Sequence, residues 1–211
     1  LIRNEPSDHT CHDIGVILGD AMKAACAGGE GVRVFSLGGK NGGSLEDPEL
    51  LYHVVEPGVT IGHSAAWSWD GKVLIFGHEP GWGVAPMCEA TDPALNYTYF
   101  FYDGDTGEKV GEWTMTRTQS ATENCTLHNL NTIPLKSGRD VLVHGSYQSG
   151  TSLVDFTDPA NPAELAWSDP PPIVPTDIGG AWSSYWYNNF IYETNITEGL
   201  NIFEYTGPQV K

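Results

Sequence analysis

Short runs of β-branched, aromatic and aliphatic residues recur along the chain, separated by clusters of Gly, Pro, Asn, Asp and Ser. Residues 122–162 show this pattern most clearly. They contain three apolar runs, at residues 127–135, 140–147 and 151–156, with a polar turn after the first and a glycine after the second. Runs bounded in this way are typical of strands joined by tight turns. The pattern therefore predicts a small antiparallel sheet in this part of the chain.

The same arrangement recurs along the sequence at intervals of about fifty to sixty-five residues. The first strands of successive units are predicted to begin near His12, His63, His128 and Trp182. A repeat of this length with three or four strands per unit predicts an all-β fold, a β-propeller of about four antiparallel blades. We expect one domain over residues 1–211, with blades at residues 11–56, 63–116, 123–168 and 179–206.

Four units are few for a propeller, since the rings hold four to eight blades. The fourth unit stops after three strands, and no clear strand precedes Cys11. We therefore expect further blades to be missing from one end, with an open stack of sheets or a β-sandwich as the alternative architecture. The chain starts at Leu1 without a Met or a signal peptide, which predicts a processed or partial chain.

The charge balance excludes some classes of partner. The 211 residues include 10 Lys and Arg against 27 Asp and Glu, a formal net charge of −17. Such a surface repels phosphate backbones and anionic membranes, so nucleic acid is not a predicted partner. No apolar run reaches the length of about eighteen residues that would predict a membrane span. A well-solvated extracellular or halotolerant surface explains the acidity.

The cysteines predict an oxidising compartment and hence a secreted, extracellular protein. None of the four lies in a Cys-x-x-Cys pair, which argues against a zinc ribbon or a thioredoxin-like site. An even number in a Gly- and Pro-rich chain predicts two disulfides. Cys11 and Cys26 flank one predicted hairpin, so we pair them and leave Cys88 with Cys125. N-glycosylation patterns begin at Asn96, Asn124 and Asn195.

Several short motifs recur at the unit boundaries. They are Cys11-His-Asp-Ile, His63-Ser-Ala with Glu79 downstream, Thr122-Glu-Asn-Cys with His128-Asn129, Val154-Asp-Phe-Thr-Asp-Pro, Trp182-Ser-Ser-Tyr-Trp-Tyr and Gly199-Leu-Asn-Ile. On these motifs almost the whole chain resembles the LVIVD-repeat proteins, which are related to the choice-of-anchor B family and are mostly secreted bacterial β-propellers. The resemblance implies a propeller and export but no settled reaction. The sequence departs from the family in its few repeats and at Gly81-Trp82-Gly83.

Histidines at the starts of the inner strands predict a candidate metal site. The first strand of each blade lines the central channel, so His12, His63 and His128 should converge there. Glu79 ends the strand paired with the one that His63 opens, with residues 63 and 78 opposite each other, and Glu123 precedes His128. Imidazole and carboxylate groups suit one divalent ion of zinc, manganese or iron. The alternative is that these histidines bind neighbouring backbone and fix the spacing of the blades.

Other candidate chemistry is weaker. The tryptophans can stack on sugars or peptides, with Trp82 and Trp182 the candidates, although packing between sheets explains most of them. The acidic loop from Asp103 to Glu108 lacks the spacing of a calcium loop, and a solvated hairpin explains it. The sequence contains no Gly-x-Ser-x-Gly elbow, so it does not predict a nucleophilic serine.

Three functions fit the sequence. The first is an exported module that binds a protein or a glycan on one face of the channel. The second is a metal-dependent hydrolase or lyase that activates water at the His and Glu site. The third is a structural unit whose exposed edge strands pair with another chain, as a homo-oligomer or through completion by further blades.

Overall fold

Fifteen strands form four antiparallel sheets in the computed structural model, which describes residues 10–173 and 178–208. The first sheet holds β1 (Asp13–Ile17), β2 (Lys23–Gly28), β3 (Gly31–Ser36) and β4 (Glu49–Val55). The second holds β5 (Gly62–Trp67), β6 (Val73–His78), β7 (Thr98–Asp103) and β8 (Lys109–Thr114). The third holds β9 (Leu130–Thr132), β10 (Val141–Gly145), β11 (Thr151–Asp155) and β12 (Ala163–Ser168). The fourth holds β13 (Ala181–Tyr187), β14 (Phe190–Asn195) and β15 (Gly199–Glu204).

Each sheet is a blade, and consecutive blades pack face to face. The strands of each blade follow in chain order from the centre outwards, as short hairpin connections require. The hairpin between β13 and β14 turns at Asn188 and Asn189, whose φ angles of 49° and 68° are those of a type I′ turn. The extensive contacts join blade 1 to blade 2, blade 2 to blade 3 and blade 3 to blade 4. The arrangement is an open, four-bladed propeller, as the repeat predicts.

The core consists of three apolar layers, one between each pair of neighbouring blades. Ala25, Val34, Leu74, Phe76 and Phe100 belong to the layer between blades 1 and 2. The layers between blades 2 and 3 and between blades 3 and 4 are built in the same way. Blades 2 and 3 are therefore buried on both faces, which explains why nearly every residue of β6, β7 and β10 is buried.

The first strand of blade 3 is much shorter than the sequence predicts. Residues 127–135 form one predicted strand, but only Leu130–Thr132 pair in the sheet. The preceding backbone bonds elsewhere, because Cys125 accepts from the Met87 amide at 3.0 Å and donates to the Ala85 carbonyl at 3.2 Å. The disulfide from Cys88 to Cys125 holds this segment against the loop that follows β6.

Both disulfides are those predicted from the sequence, Cys11 to Cys26 and Cys88 to Cys125. The asparagines of the three glycosylation patterns, Asn96, Asn124 and Asn195, are each buried in the fold and do not face solvent as glycosylated side chains do. The Asn124 amide donates to the Gly83 carbonyl at 2.7 Å. These side chains are structural in the folded chain. Within the described residues, no helix is long and apolar enough to cross a membrane.

Candidate metal centre

The innermost strands β1, β5, β9 and β13 surround a cavity of about 760 Å³. The residues at their starts converge at one end of this cavity, as the propeller geometry predicts. The His12 and His63 ring centroids lie 4.2 Å apart, those of His63 and His128 4.5 Å, and those of His128 and Trp182 4.5 Å. Four blades thus contribute one ring each to a continuous row of aromatic side chains.

Two of these rings lie at irregularities in their strands. The pairing of β5 with β6 skips His63, so that Gly62 faces His78 and Ser64 faces Gly77. The pairing of β13 with β14 skips Trp182 in the same way. The sequence expectation that residue 63 lies opposite residue 78 is therefore wrong by one position. A bulge of this kind re-aims a side chain that regular pairing would hold in the sheet.

Glu79 follows directly after β6 and brings a buried carboxylate to the row. Its Oε2 lies 3.3 Å from His63 Nε2, and its Oε1 lies 3.5 Å from His128 Nε2. The Tyr147 hydroxyl donates to Oε1 at 2.6 Å. All four residues are at most 5% exposed. One ligand atom from each of His63, Glu79 and His128 can be chosen so that all lie within 4.8 Å of one another. We name this group the HEH cluster.

Hydrogen bonding fixes the tautomer of one imidazole. His128 Nδ1 lies 2.6 Å from the Trp182 carbonyl oxygen, which can only accept, so Nδ1 carries the proton. In the neutral ring Nε2 is then a bare lone pair, and it faces the Glu79 carboxylate. Two electron-rich atoms face each other at 3.5 Å. A proton or a cation between them would remove this repulsion.

The pKa shifts keep both imidazoles in the form that binds metals. Burial, followed by the neighbouring His128 and His12, lowers the pKa of His63 to about 3. Burial, opposed by the Trp182 carbonyl and aided by His12, lowers the pKa of His128 to about 4. Burial raises the pKa of Glu79, which the hydrogen bond from Tyr147 partly offsets. Neutral imidazole and carboxylate are the ligand forms for divalent ions.

His12 and Glu123, the other two predicted ligands, are outside the HEH cluster. His12 is exposed at the rim, where its ring contacts that of His63 at an interplanar angle of 40°. Glu123 is buried, but its carboxylate accepts from the Ser120 amide at 2.9 Å and hydroxyl at 2.7 Å. These bonds close a local turn, so Glu123 stabilises the entry to blade 3.

The two predicted stacking residues lie in different settings. Trp182 borders the cavity and is 48% exposed. Trp82 is 70% exposed and has a left-handed backbone, with φ 55°, in the 3₁₀ turn Pro80–Gly83. Trp67 is buried between blades 1 and 2, as the packing interpretation requires.

Sequence reasoning missed Tyr147, the one described residue whose side chain donates a hydrogen bond to Glu79. Its φ angle of 51° is rare for a residue with a side chain. Gly83 leaves room for the phenol, because a Cβ there would lie 2.1 Å from the hydroxyl oxygen. Tyr147 follows β10 much as Glu79 follows β6. Comparing the residues after the second strands of the two blades is the signal that could have found it.

Comparisons with known proteins agree on the fold class. The chain is similar to solved β-propellers, although the sequence identities are low. The Dos1 propeller aligns over 94% of this chain and 42% of its own length, with a TM-score of 0.59 and 9% identity. BamB from Moraxella catarrhalis aligns over 95% of this chain and 48% of its own, with a TM-score of 0.55 and 13% identity.

Two further structures bracket the size of the chain. The propeller domain of Cps50 (Swd1) from Myceliophteria thermophila aligns over 94% of this chain and 54% of its own, with a TM-score of 0.52 and 13% identity. The computationally designed Ika4 protein aligns over 95% of this chain and 94% of its own, with a TM-score of 0.56 and 11% identity. This chain thus spans about half the length of the three other propellers. No family model matches the chain, and no curated protein matches its sequence.

Proposed function

We propose that the chain binds one divalent cation between His63, Glu79 and His128, at the end of the central cavity. The observation that carries the proposal is the convergence of two neutral imidazoles and one carboxylate, all buried, from two different blades. His63 lies in β5, Glu79 directly follows β6 and His128 precedes β9, so well-ordered strands support the three side chains and preorganise the site.

The spacing of the HEH cluster suits such an ion. A tetrahedral ion with bonds of about 2.1 Å holds its ligands about 3.4 Å apart. His63 Nε2 lies 3.3 Å from Glu79 Oε2 and His128 Nε2 lies 3.5 Å from Glu79 Oε1, so an ion between the three side chains would contact both carboxylate oxygens. A cation at this place would also resolve the contact between the His128 lone pair and the carboxylate. The competing interpretation is a protonated Glu79 that donates to His128, with the histidines acting only as spacers between blades.

Surrounding bonds resemble those that usually orient metal ligands. A metal-bound histidine commonly donates its second ring nitrogen to a carbonyl, as His128 does to Trp182. Tyr147 holds one carboxylate oxygen of Glu79 in place and acts as a positioning residue. His63 Nδ1 is buried and has no hydrogen-bond partner among the described residues, which leaves His63 the less firmly oriented ligand.

The donor set favours zinc, manganese or iron, since imidazole and carboxylate are ligands of intermediate hardness. Three protein ligands leave room for water or substrate, and a bound divalent ion lowers the pKa of water. The reaction class that we propose is hydrolysis or lyase chemistry on a molecule held in the cavity. His12, whose ring contacts that of His63 at the rim, is the candidate for an additional ligand.

Elemental analysis of the purified chain tests the metal site. We expect about one equivalent of zinc, manganese or iron, lost in the double variant His63→Ala/His128→Ala. His53→Ala, a substitution of an exposed histidine outside the cluster, is the control and should retain the ion. Circular dichroism has to show that all variants remain folded. Absence of metal after incubation with each of the three ions, or full retention in a folded double variant, would reject the site.

A second candidate function is a binding module for a protein or a glycan. The supporting observation is that Trp69, Trp182 and Tyr185 border the cavity and are 60%, 48% and 51% exposed. Aromatic faces beside neutral polar groups suit sugar rings. A printed glycan array tests this function. We expect neutral glycans to bind and Trp182→Ala to weaken binding, whereas an array without signal would end this proposal for glycans.

Export and membership of the LVIVD-repeat family remain proposals. The two disulfides support an oxidising compartment, because such bonds persist outside the reducing cytosol. Mass mapping of the chain from its natural source tests this point. Four free thiols would contradict export.

A further inference from the structure

Among residues 10–173 and 178–208, the two end blades each leave one apolar sheet face uncovered. Blades 2 and 3 are buried on both sides by their neighbours. The extensive contacts of blade 1 are with blade 2, and those of blade 4 are with blade 3. The gap in the arc therefore exposes sheet faces, whereas the sequence interpretation placed exposed edge strands there.

The outer face of blade 4 is aromatic and aliphatic. Register places Tyr185 beside Tyr192 and Ile202, and Tyr187 beside Phe190, on the face opposite the one that packs on blade 3. Tyr187 is 72% exposed and Ile202 56%. Monomeric proteins rarely leave an apolar patch larger than a few hundred Å² uncovered, so a face of this kind indicates a partner.

The outer face of blade 1 has the same character. Ile14 and Val16 are 55% and 51% exposed, while Gly15 between them faces Ala65 of blade 2. Val16 aligns across the sheet with Ala24, Phe35 and Leu50 on this outer face. Leu50 is also exposed, and Phe35 is half-buried. Together these residues resemble one side of the apolar layers found between blades inside the chain.

We propose that a second copy of this chain covers both faces and closes an eight-bladed ring. Blade 1 of each copy packs on blade 4 of the other, which repeats the blade-to-blade contact that the chain makes three times internally. A head-to-tail contact of this kind forms a ring when the rotation from one copy to the next closes, and two arcs of four blades each would complete a ring of eight. The charges also agree, because Arg33 lies on the outer face of blade 1 and Glu204 on that of blade 4.

The size of the arc supports two copies. The chain spans 42%, 48% and 54% of the length of three propellers to which it is similar. Two arcs therefore reach the size of one such propeller. The assembly does not require the metal site, although it would enclose the cavity on its open side.

Light scattering after size exclusion, over a dilution series, tests the assembly. We expect twice the 22.9 kDa mass of one chain. Leu200→Asp on blade 4 and Val16→Asp on blade 1 should each yield monomers, because each places a charge in both contacts of the ring. Leu45→Asp is the matched control, as Leu45 and Leu200 are both 60% exposed and Leu45 lies in the loop between β3 and β4.

Mixing the two monomeric variants distinguishes this ring from other dimers. A mixed pair has one contact without any substitution, formed by blade 1 of the Leu200→Asp chain and blade 4 of the Val16→Asp chain. We expect the mixture to regain dimers that neither variant forms alone. A wild-type monomer at every concentration, an open polymer, or a dimer that Leu200→Asp abolishes and Val16→Asp does not affect would each overturn the proposal.

Discussion

Removing the hydroxyl group of Tyr147 tests whether it stabilises the buried carboxylate of Glu79 in the HEH cluster. In Tyr147→Phe the buried carboxylate loses the hydrogen bond that it accepts at 2.6 Å. A hydrogen bond to a charged group contributes roughly 1.5–3 kcal/mol, and the unpaired acceptor stays buried. We therefore expect the free energy of unfolding to fall by about 2 kcal/mol. For a chain of this length that corresponds to a loss of ~6 °C in Tm.

Tyr99→Phe is the matched control for this substitution. Tyr99 is as buried as Tyr147, but its hydroxyl has no hydrogen-bond partner among the described residues. Deleting a buried, unpaired hydroxyl removes a desolvation cost, so this variant should be as stable as the wild type or more stable. The phenylalanine fills nearly the same volume in both variants, and the comparison isolates the hydrogen bond.

Urea unfolding with intact disulfides measures the stability of both variants. Zinc titration measures whether Tyr147→Phe also lowers the affinity for metal. Loss of a group that orients a metal ligand lowers metal affinity about 10- to 100-fold. Equal stability changes in the two variants would refute the assigned hydrogen bond. Unchanged zinc affinity in Tyr147→Phe would refute its positioning role.

Three other outcomes follow from the structure. Burial lowers the pKa of His144 to about 3, so below about pH 6.5 the unfolded chain binds a proton at this residue and the folded chain does not. The free energy of unfolding should therefore fall by up to about 2 kcal/mol between pH 7.5 and pH 5 through His144. In His144→Gln the urea midpoint should depend less on pH over this range. Gly83→Ala, at φ 67°, should cost more than the roughly 1–3 kcal/mol of an unfavourable backbone alone, because its methyl group meets a phenol; a midpoint shift smaller than this would contradict the contact. Mild reductant should open Cys11–Cys26, which has an exposed cysteine, before the buried Cys88–Cys125; alkylation in the reverse order would contradict the burial.

Much of the fold follows from local patterning. Turn residues between short apolar runs predict the strands, and the spacing of their starts predicts four blades. The hairpin at Asn188-Asn189 follows from residues that tolerate positive φ. The first strand of blade 3 does not follow, because its apolar residues 127–135 satisfy the strand pattern. Contacts with the loop after β6, distant in sequence, hold the backbone before Leu130 outside the sheet, through the disulfide to Cys88 and the hydrogen bonds of Cys125 with Met87 and Ala85.

The candidate site is predictable where it depends on the repeat and unpredictable where it depends on irregular backbone. His12, His63, His128 and Trp182 converge because each opens an inner strand. The bulge at His63 has no local signature in the sequence, and neither does the left-handed backbone of Tyr147. Glu123 is a candidate because it precedes His128 in the sequence, but a turn bonds its carboxylate locally. The bulge, the left-handed backbone and the local bonding of Glu123 can be identified only from the three-dimensional structure.

The most direct measurement of the metal site is anomalous diffraction at the zinc edge, from crystals of the chain grown with zinc. The account predicts one strong peak between His63, Glu79 and His128, and none in crystals of His63→Ala/His128→Ala. A map without a peak at the cluster, or with zinc bound only elsewhere, would contradict the account and leave the histidines as spacers between blades.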